Sequence, residues 1–417
     1  MIIIYLYMIT MFIRPQDWVP GMTGLSTALI LIPIGLMLGF NNYIKNPDIY
    51  KTPINKIIPV YLLVILLSTF INTDSSYASE QTIEWLKRSM LFYMVILNVD
   101  TFDKLKKTMN FLLLICLFLG YQAILQGYTG ESWGGLTPYP GYTEIRVRWF
   151  GDWDGPNVFG ILFLIASAIS LEYVSGRHSH LFKLFNILCL MIFIAAIFYT
   201  NSRGTVLAFL CGVLFYYRDY IKLKYMPVFA TIMGAFIVYW APSRMTEINS
   251  KESSAHERTW MWEQGLGMFR ENPIFGIGRG QFAERVDLKM LAHNNYVQNF
   301  TELGIIGFAL FMSIVWFCFK GTYIVSTNSK MTNTTGVYGR MMTAMLIMYL
   351  AATYFVVMEL DILYFIFGIS TATYLIARQE DATLQNFSYT KFDIFMISGI
   401  AVGIIISVWL AAVAQIL

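Results

Sequence analysis

"KLFNILCLMIFIAAIFYTNSRGTVLAFLCGVLFYYRDYIKLK", residues 183–224, decides the class of this chain. Two apolar runs, 183–200 and 204–217, are joined by a few polar residues and followed by a basic cluster. A membrane-crossing helix needs about 20 apolar residues, with a range of about 17–25. A connection as short as "TNSRG" must send the second run straight back alongside the first. The stretch predicts a transmembrane hairpin with Arg203 at its turn and Arg218, Lys222 and Lys224 at its open end.

The rest of the chain repeats that texture. Of 417 residues, 57% are apolar and 13% charged, against about 45–50% and about 25% in an ordinary soluble domain. The composition is that of an integral membrane protein, and no polar block is long enough for a separate soluble domain, so residues 1–417 read as one membrane domain. A net charge of +3 gives no reason to expect nucleic acid. The four cysteines, Cys116, Cys189, Cys211 and Cys318, all lie in apolar runs and read as buried thiols without a disulfide framework. The opening run "MIIIYLYMITMFI" has neither a basic flank nor a small-residue cleavage site, so it reads as a retained first span.

Candidate spans are 1–13, 23–40, 57–72, 88–99, 108–126, 157–174, 183–200, 204–217, 226–241, 303–320, 341–357, 360–377 and 394–416. The expected fold is all-α and polytopic, with about 12–13 transmembrane helices. The first and fourth candidates are shorter than a full span. No internal repeat and no low-complexity segment is visible.

Lysine and arginine in short loops mark the cytoplasmic side. "NNYIKNPDIYKTPINK", "DTFDKLKK", "SGRHSHLFK", "YYRDYIKLK", the 321–340 connection and "ARQEDATLQNFSYTK" all fall on one side under this count. That side is expected to be the cytoplasm. The outer, periplasmic side then receives "RPQDWVPG", the loop 127–156, the turn "TNSRG" and the loop 242–302. Loops this long inside a compact domain are usually functional or disordered. The two long ones are rich in Trp and Tyr, which favours function, although most such aromatics serve as interfacial anchors.

Four features of the outer side have chemistry to offer. Arg203 sits where basic residues are disfavoured, and Asn201, Ser202 and Gly204 beside it offer donors and close backbone approach to an oxyanion. In "HERTWMWEQGLGMFRENP", 256–273, Trp262, Leu266 and Phe269 form an apolar stripe at helical spacing, with Arg258 on the same face. An amphipathic helix at the outer leaflet, ended by Pro273, is expected there, followed by the glycine-rich turn "FGIGRGQF". This is no dinucleotide fingerprint, because it lacks a βαβ context. His293, with Asn294, Asn295 and Gln298, offers a general base with amide neighbours able to orient it and to bind hydroxyl-rich ligands. The plainer alternative is an interfacial histidine anchoring the next span. Arg146, Arg148, Asp152 and Asp154 form a candidate glycan-binding set, or a set of charges paired across the loop.

No HExxH, clustered His/Cys ligand set, Walker-type loop or G-x-S-x-G elbow is present. An outward-facing site has no access to cytoplasmic nucleotides and needs an activated, membrane-borne donor such as a lipid diphosphate. Two arginines suit its oxygens, and a histidine suits an incoming hydroxyl.

"PIFGIGRGQF" followed by "HNNYVQNFTELGIIG" resembles the O-antigen ligase and Wzy-type polymerase superfamily of bacterial envelope enzymes. His293 and Asn294 precede nine residues and then Gly304 and Gly307, similar to that family's His-Asn/Ser, nine-residue, Gly-x-x-Gly signature. "TNSRG" and "ERTWMW" resemble its two arginine positions. The likeness covers about residues 150–320. It implies a C-type glycosyltransferase-like membrane fold in the bacterial inner membrane, with short helices in a long periplasmic loop. It further implies an undecaprenyl-diphosphate-linked glycan donor, a glycan, lipid or protein acceptor, and inverting transfer with no metal or other cofactor. His293 would then be the base, Arg203 and Arg258 the diphosphate ligands, and Asn294, Asn295 and Gln298 their support. A ligase acting on lipid A-core or a similar acceptor is the first expectation, and a polymerase of lipid-linked repeat units the second. A transporter or flippase of lipid-linked sugars is the alternative of another class. It predicts polar residues and paired helix breaks at mid-membrane, whereas the span cores here are nearly free of charge.

Overall fold

The computed structural model describes residues 1–45, 52–141, 144–218, 253–328, 335–381, 384 and 388–413. The candidate span 226–241, the first part of the 242–302 loop and the basic residues Lys222, Lys224 and Lys330 lie outside these residues. Among the described residues the regular structure is helical, with no strand. Its α-helices are α1 (Ile2–Met8), α2 (Pro15–Trp18), α3 (Thr27–Lys45), α4 (Pro53–Asn72) and α5 (Ser75–Asn98). There follow α6 (Phe102–Thr129), α7 (Pro156–Ser175), α8 (His180–Tyr199), α9 (Arg203–Tyr216) and α10 (Ser253–Glu271). The last are α11 (Phe282–Arg285), α12 (Asn295–Thr327), α13 (Thr335–Ala352), α14 (Asp361–Glu380) and α15 (Lys391–Val413). Seven of them, α4, α6, α7, α8, α12, α14 and α15, are long and apolar enough to cross a membrane, and three shorter apolar helices span Ile2–Ile13, Thr27–Asn42 and Arg203–Tyr216. The chain is an all-α polytopic membrane protein.

Several helices depart from the expected spans, α12 extending to both sides of 303–320. The apolar run 88–99 is the second half of the 24-residue α5, whose first half carries Glu80, Glu84, Lys87 and Arg88 on an amphipathic face. The run 341–357 stops being helical after Ala352, and Thr353 to Leu360 form a connection before α14.

The chain divides into two compact units. The first comprises Met1–Leu31, Val99–Ile248 and Thr322–Ala352. Its central helix is α7, which packs against α6, α8, α9 and α13. Small residues permit close packing here: a Cβ on Gly160 of α7 would lie 2.7 Å from Thr205 Oγ1 of α9, and one on Gly212 of α9 would press on Met348 of α13. Glu172 at the end of α7 is fully buried and compensated, with Arg340 Nη2 donating at 2.7 Å and Tyr216 Oη at 2.8 Å. A charge in such a position must be paired. The apolar surface of α8 is largely exposed, including Leu181, Leu184, Leu188 and Met191. Its mean hydropathy of 2.5 suits a face turned to lipid.

The second unit comprises Ile32–Asn98, Asn249–Gly321 and Thr353–Leu417. Here α14 is the buried helix and packs along α5. A Cβ on Gly368 would lie 2.8 Å from Val95 Cβ, so glycine sets their spacing. The strongly apolar α15 is mostly exposed except where α10 covers it, and Lys320 Nζ donates to Asp393 Oδ1 at 2.7 Å near its start. Its later half meets the 353–360 connection through Tyr354 and Ser407, whose hydroxyls are 2.9 Å apart.

Candidate functional site

The helix α12 is broken at Gly304, whose φ of 65° and ψ of −167° lie in a region essentially open only to glycine. A break deep in an apolar helix leaves backbone groups without partners. The glycine-rich turn between α10 and α11 supplies them. Ile277 N–H donates to Thr301 O at 3.1 Å and Gly278 N–H to Glu302 O at 3.0 Å, while Ile305 N–H donates to Pro273 O at 2.8 Å. The two segments touch at backbone distance, because a Cβ on Gly276 would lie 2.3 Å from the Glu302 carbonyl carbon. A Cβ on Gly304 would lie equally close to Ile274 O. "PIFGIGRG" and "TELGIIG" are therefore one structural object, in which Gly276 and Gly304 each permit the other segment's approach.

That object supports the loop before α12. Asn294 caps the helix, its Oδ1 accepting Tyr296 N–H at 2.9 Å and Val297 N–H at 3.1 Å. Asn295 ties the loop to the 353–360 connection, its N–H donating to Thr353 O at 2.9 Å and its Oδ1 accepting Met358 N–H at 3.3 Å. Gln298 Oε1 accepts Ala292 N–H at 3.0 Å. His293 itself has a φ of 51°, rare for a residue with a side chain. Its ring is half-buried. Burial and then the nearby Arg258 guanidinium lower its pKa from 6.5 to about 4, so the imidazole is neutral at physiological pH.

Arg258 comes from α10, which docks on the first turns of α12. Gly265 has no room for a Cβ, which would stand 2.6 Å from Val297 Cγ1, and Thr301 Oγ1 donates to Gly265 O at 3.1 Å. Phe269 meets Phe300 at 5.1 Å between ring centroids. The buried Trp262 donates its indole N–H to Ala292 O at 3.0 Å. The apolar stripe of this helix thus packs against protein, and Arg258, one turn before Trp262, is carried beside His293.

Arg203 belongs to the first unit, at the first turn of α9, where Ser202 caps the helix by accepting Thr205 N–H at 3.3 Å. Asn201, with a φ of 50°, donates its Nδ2 to Ile145 O at 3.1 Å. The buried Arg146 guanidinium reaches Thr200 O at 3.4 Å and Asn157 Oδ1 at 3.2 Å, and so braces this turn. Arg148 pairs with Asp154 at 2.7 Å, and Asp152 pairs with Arg14 at 2.5 Å. Of these four residues Arg148 and Asp154 pair with each other, and both carboxylates are partly exposed.

The sequence reading missed a buried cluster behind His293. Arg279, from the glycine-rich turn, is 5% exposed. It donates from Nη2 to Glu359 Oε2 at 2.8 Å, and its Nε lies 3.4 Å from Glu302 Oε2. Trp85 lies against the guanidinium, 4.2 Å from ring centroid to Cζ. Tyr61 Oη donates to Glu359 Oε1 at 2.8 Å, and Asn299 Nδ2 to Glu359 Oε2 at 2.9 Å. A carboxylate, Glu302, one residue before an expected span was the available signal. Among the described residues, no three His, Cys, Asp or Glu side chains gather in a way that could hold a metal ion.

Residues 188–312, from α8 through the break in α12, match the model of the O-antigen ligase family. That match supports a relationship to the O-antigen ligase/Wzy superfamily over this segment. The segment contains Arg203, Arg258, His293 and Gly304. The chain is also similar to a Haemophilus influenzae protein described only as uncharacterized. The two are 22% identical over 350 residues, which cover 75% of this chain and 82% of that protein.

Proposed function

We propose that this protein is an inner-membrane, metal-independent glycosyltransferase of the ligase type, with its site on the periplasmic face. It transfers a glycan from an undecaprenyl-diphosphate-linked donor to an acceptor hydroxyl on lipid A-core or a similar molecule. The observation that carries the reading is His293, held neutral beside Arg258 on a loop fixed at the residues before and after it. Neutral imidazole is what a general base requires.

The acceptor oxygen attacks the anomeric carbon of the donor sugar as the bond from that carbon to the diphosphate oxygen breaks. The configuration inverts, His293 takes the hydroxyl proton, and the lipid diphosphate leaves with the bonding electron pair. Arg258 and Arg203 neutralise the charge growing on that leaving group through planar, charge-assisted contacts. For Arg203 the support is its motif and its position at a capped helix start. The exposed edges of Asp152 and Asp154 are the groups of the 127–156 loop available to sugar hydroxyls.

Deleting the gene and analysing surface polysaccharide by gel tests the reading. A ligase loss leaves a full-length lipid-linked polymer and an uncapped acceptor. Single repeat units would instead mark a polymerase, and an unchanged surface would refute both.

A further inference from the structure

Ala292, immediately before His293, is held at both backbone polar groups by buried side chains. Gln298 Oε1 accepts its N–H and Trp262 Nε1 donates to its carbonyl, each at 3.0 Å. With Asn294 fixed by its capping bonds, His293 is left in a left-handed conformation that a non-glycine residue keeps only when its surroundings impose it.

Gln298 can serve only one way round. An amide has a donor end and an acceptor end, and the donor end would repel the Ala292 N–H. Its other end meets Glu302 Oε1, which receives the Gln298 Nε2 bond and also Phe282 N–H at 3.2 Å. A carboxylate that only accepts forces the NH₂ group towards itself, and so turns the amide oxygen to Ala292. Arg279 faces the other oxygen of Glu302, Oε2, compensates its charge, and is itself anchored to Glu359. The chain Arg279–Glu302–Gln298–Ala292 therefore has a defined direction. The second arm, Trp262, comes from the helix that also carries Arg258, so one indole N–H ties the arginine's helix to the histidine's loop.

We propose that Trp262 and the Gln298–Glu302–Arg279 chain are positioning residues for His293. They fix where the imidazole stands and what surrounds it, without touching substrate. The inference rests on His293 being the base.

The test uses the full-length protein with two variants. Trp262→Phe keeps the ring that packs on Tyr354 but loses the donor, and Gln298→Met keeps length and bulk but loses the amide. Each is assayed for transfer in proteoliposomes with an undecaprenyl-diphosphate-linked glycan. Each is also titrated by NMR with ¹³C-labelled histidine, the His293 signal being identified by its loss in His293→Gln. Loosening the loop should lower kcat about tenfold or more with KM changed less than about twofold, since misplacement by 1 Å can cost about 10²-fold. Admitting water should move the His293 titration upward from about 4, with Arg258 still facing it. A merely structural role would lower the folded fraction and leave the titration of the folded protein where it was, and that result overturns the inference. If Gln298→Met does not accumulate, Trp262→Phe decides alone. An inactive His293→Gln protein beside fully active clamp variants would overturn this inference while sparing the base assignment. Wild-type transfer by His293→Gln would overturn both.

Discussion

Replacing Gly304 by alanine strikes the point where the helix break and the glycine-rich turn meet. The new Cβ would lie 2.3 Å from Ile274 O and 2.7 Å from Gly276 N. Both are backbone atoms, so no side chain can swing aside. The conformation itself, φ 65° and ψ −167°, costs a non-glycine residue about 1–3 kcal/mol. Relief requires the two segments to part, which breaks at least the Ile305 N–H to Pro273 O bond. A buried donor left unpaired adds about 1–3 kcal/mol. The total is about 2–6 kcal/mol, a large fraction of the about 5–15 kcal/mol typical of a folded domain. The assay is apparent melting temperature of purified protein in detergent, followed by tryptophan fluorescence, with transfer rate measured on the same samples. Gly399→Ala, in helix α15 with nothing within 4 Å of the added Cβ, is the control and should match or exceed wild type. A Gly304→Ala protein that melts with the control and transfers at the wild-type rate would refute the reasoning.

Three further predictions concern the site and its orientation. With the neutral imidazole as the proposed base, kcat/KM should stay flat from about pH 8 to pH 5 and halve near pH 4. An ordinary imidazole would be only about 9% neutral at pH 5.5, against about 97% for one titrating near 4, so a profile that already falls tenfold at pH 5.5 contradicts the burial argument. Arg258→Lys and Arg203→Lys should each lose most transfer despite keeping charge, and alanine should lose more, because an ammonium cannot make the bidentate contact; full activity in either lysine variant removes that arginine from the diphosphate. A cysteine at Gly135 should react with an impermeant thiol reagent in intact spheroplasts while one at Lys107 should not, and reversed labelling would invert the orientation.

The membrane class and the resemblance to the family could be read from local sequence because both are written in short-range pattern. Apolar runs of fixed length mark the helices, and His293, Asn294, Gly304 and Gly307 stand at fixed spacing in one segment. The reason for the spacing was not legible, since Gly304 answers to Gly276 across the break and only the folded backbone brings them together. The Arg279 cluster was hidden for the same reason: its partners Tyr61, Trp85 and Glu359 come from remote parts of the chain, and a lone arginine among glycines carries no mark of burial. Trp262 was legible as part of an apolar stripe, but the destination of its indole N–H was not. For Arg148 and Asp154 the sequence left open whether they pair or meet a sugar, and the structure shows the pair with Asp154 still exposed.

The central claim is that His293 takes the acceptor's proton. The direct measurement is the rate of glycan transfer from a lipid-diphosphate donor in proteoliposomes, comparing wild type with His293→Ala at matched protein level and neutral pH. Removing a general base costs about 10²–10⁴-fold, and the account predicts a loss in that range with donor binding retained. Transfer by His293→Ala within about threefold of wild type, far short of that loss, would contradict it, leaving the histidine as an interfacial anchor and the arginines as the remaining chemistry.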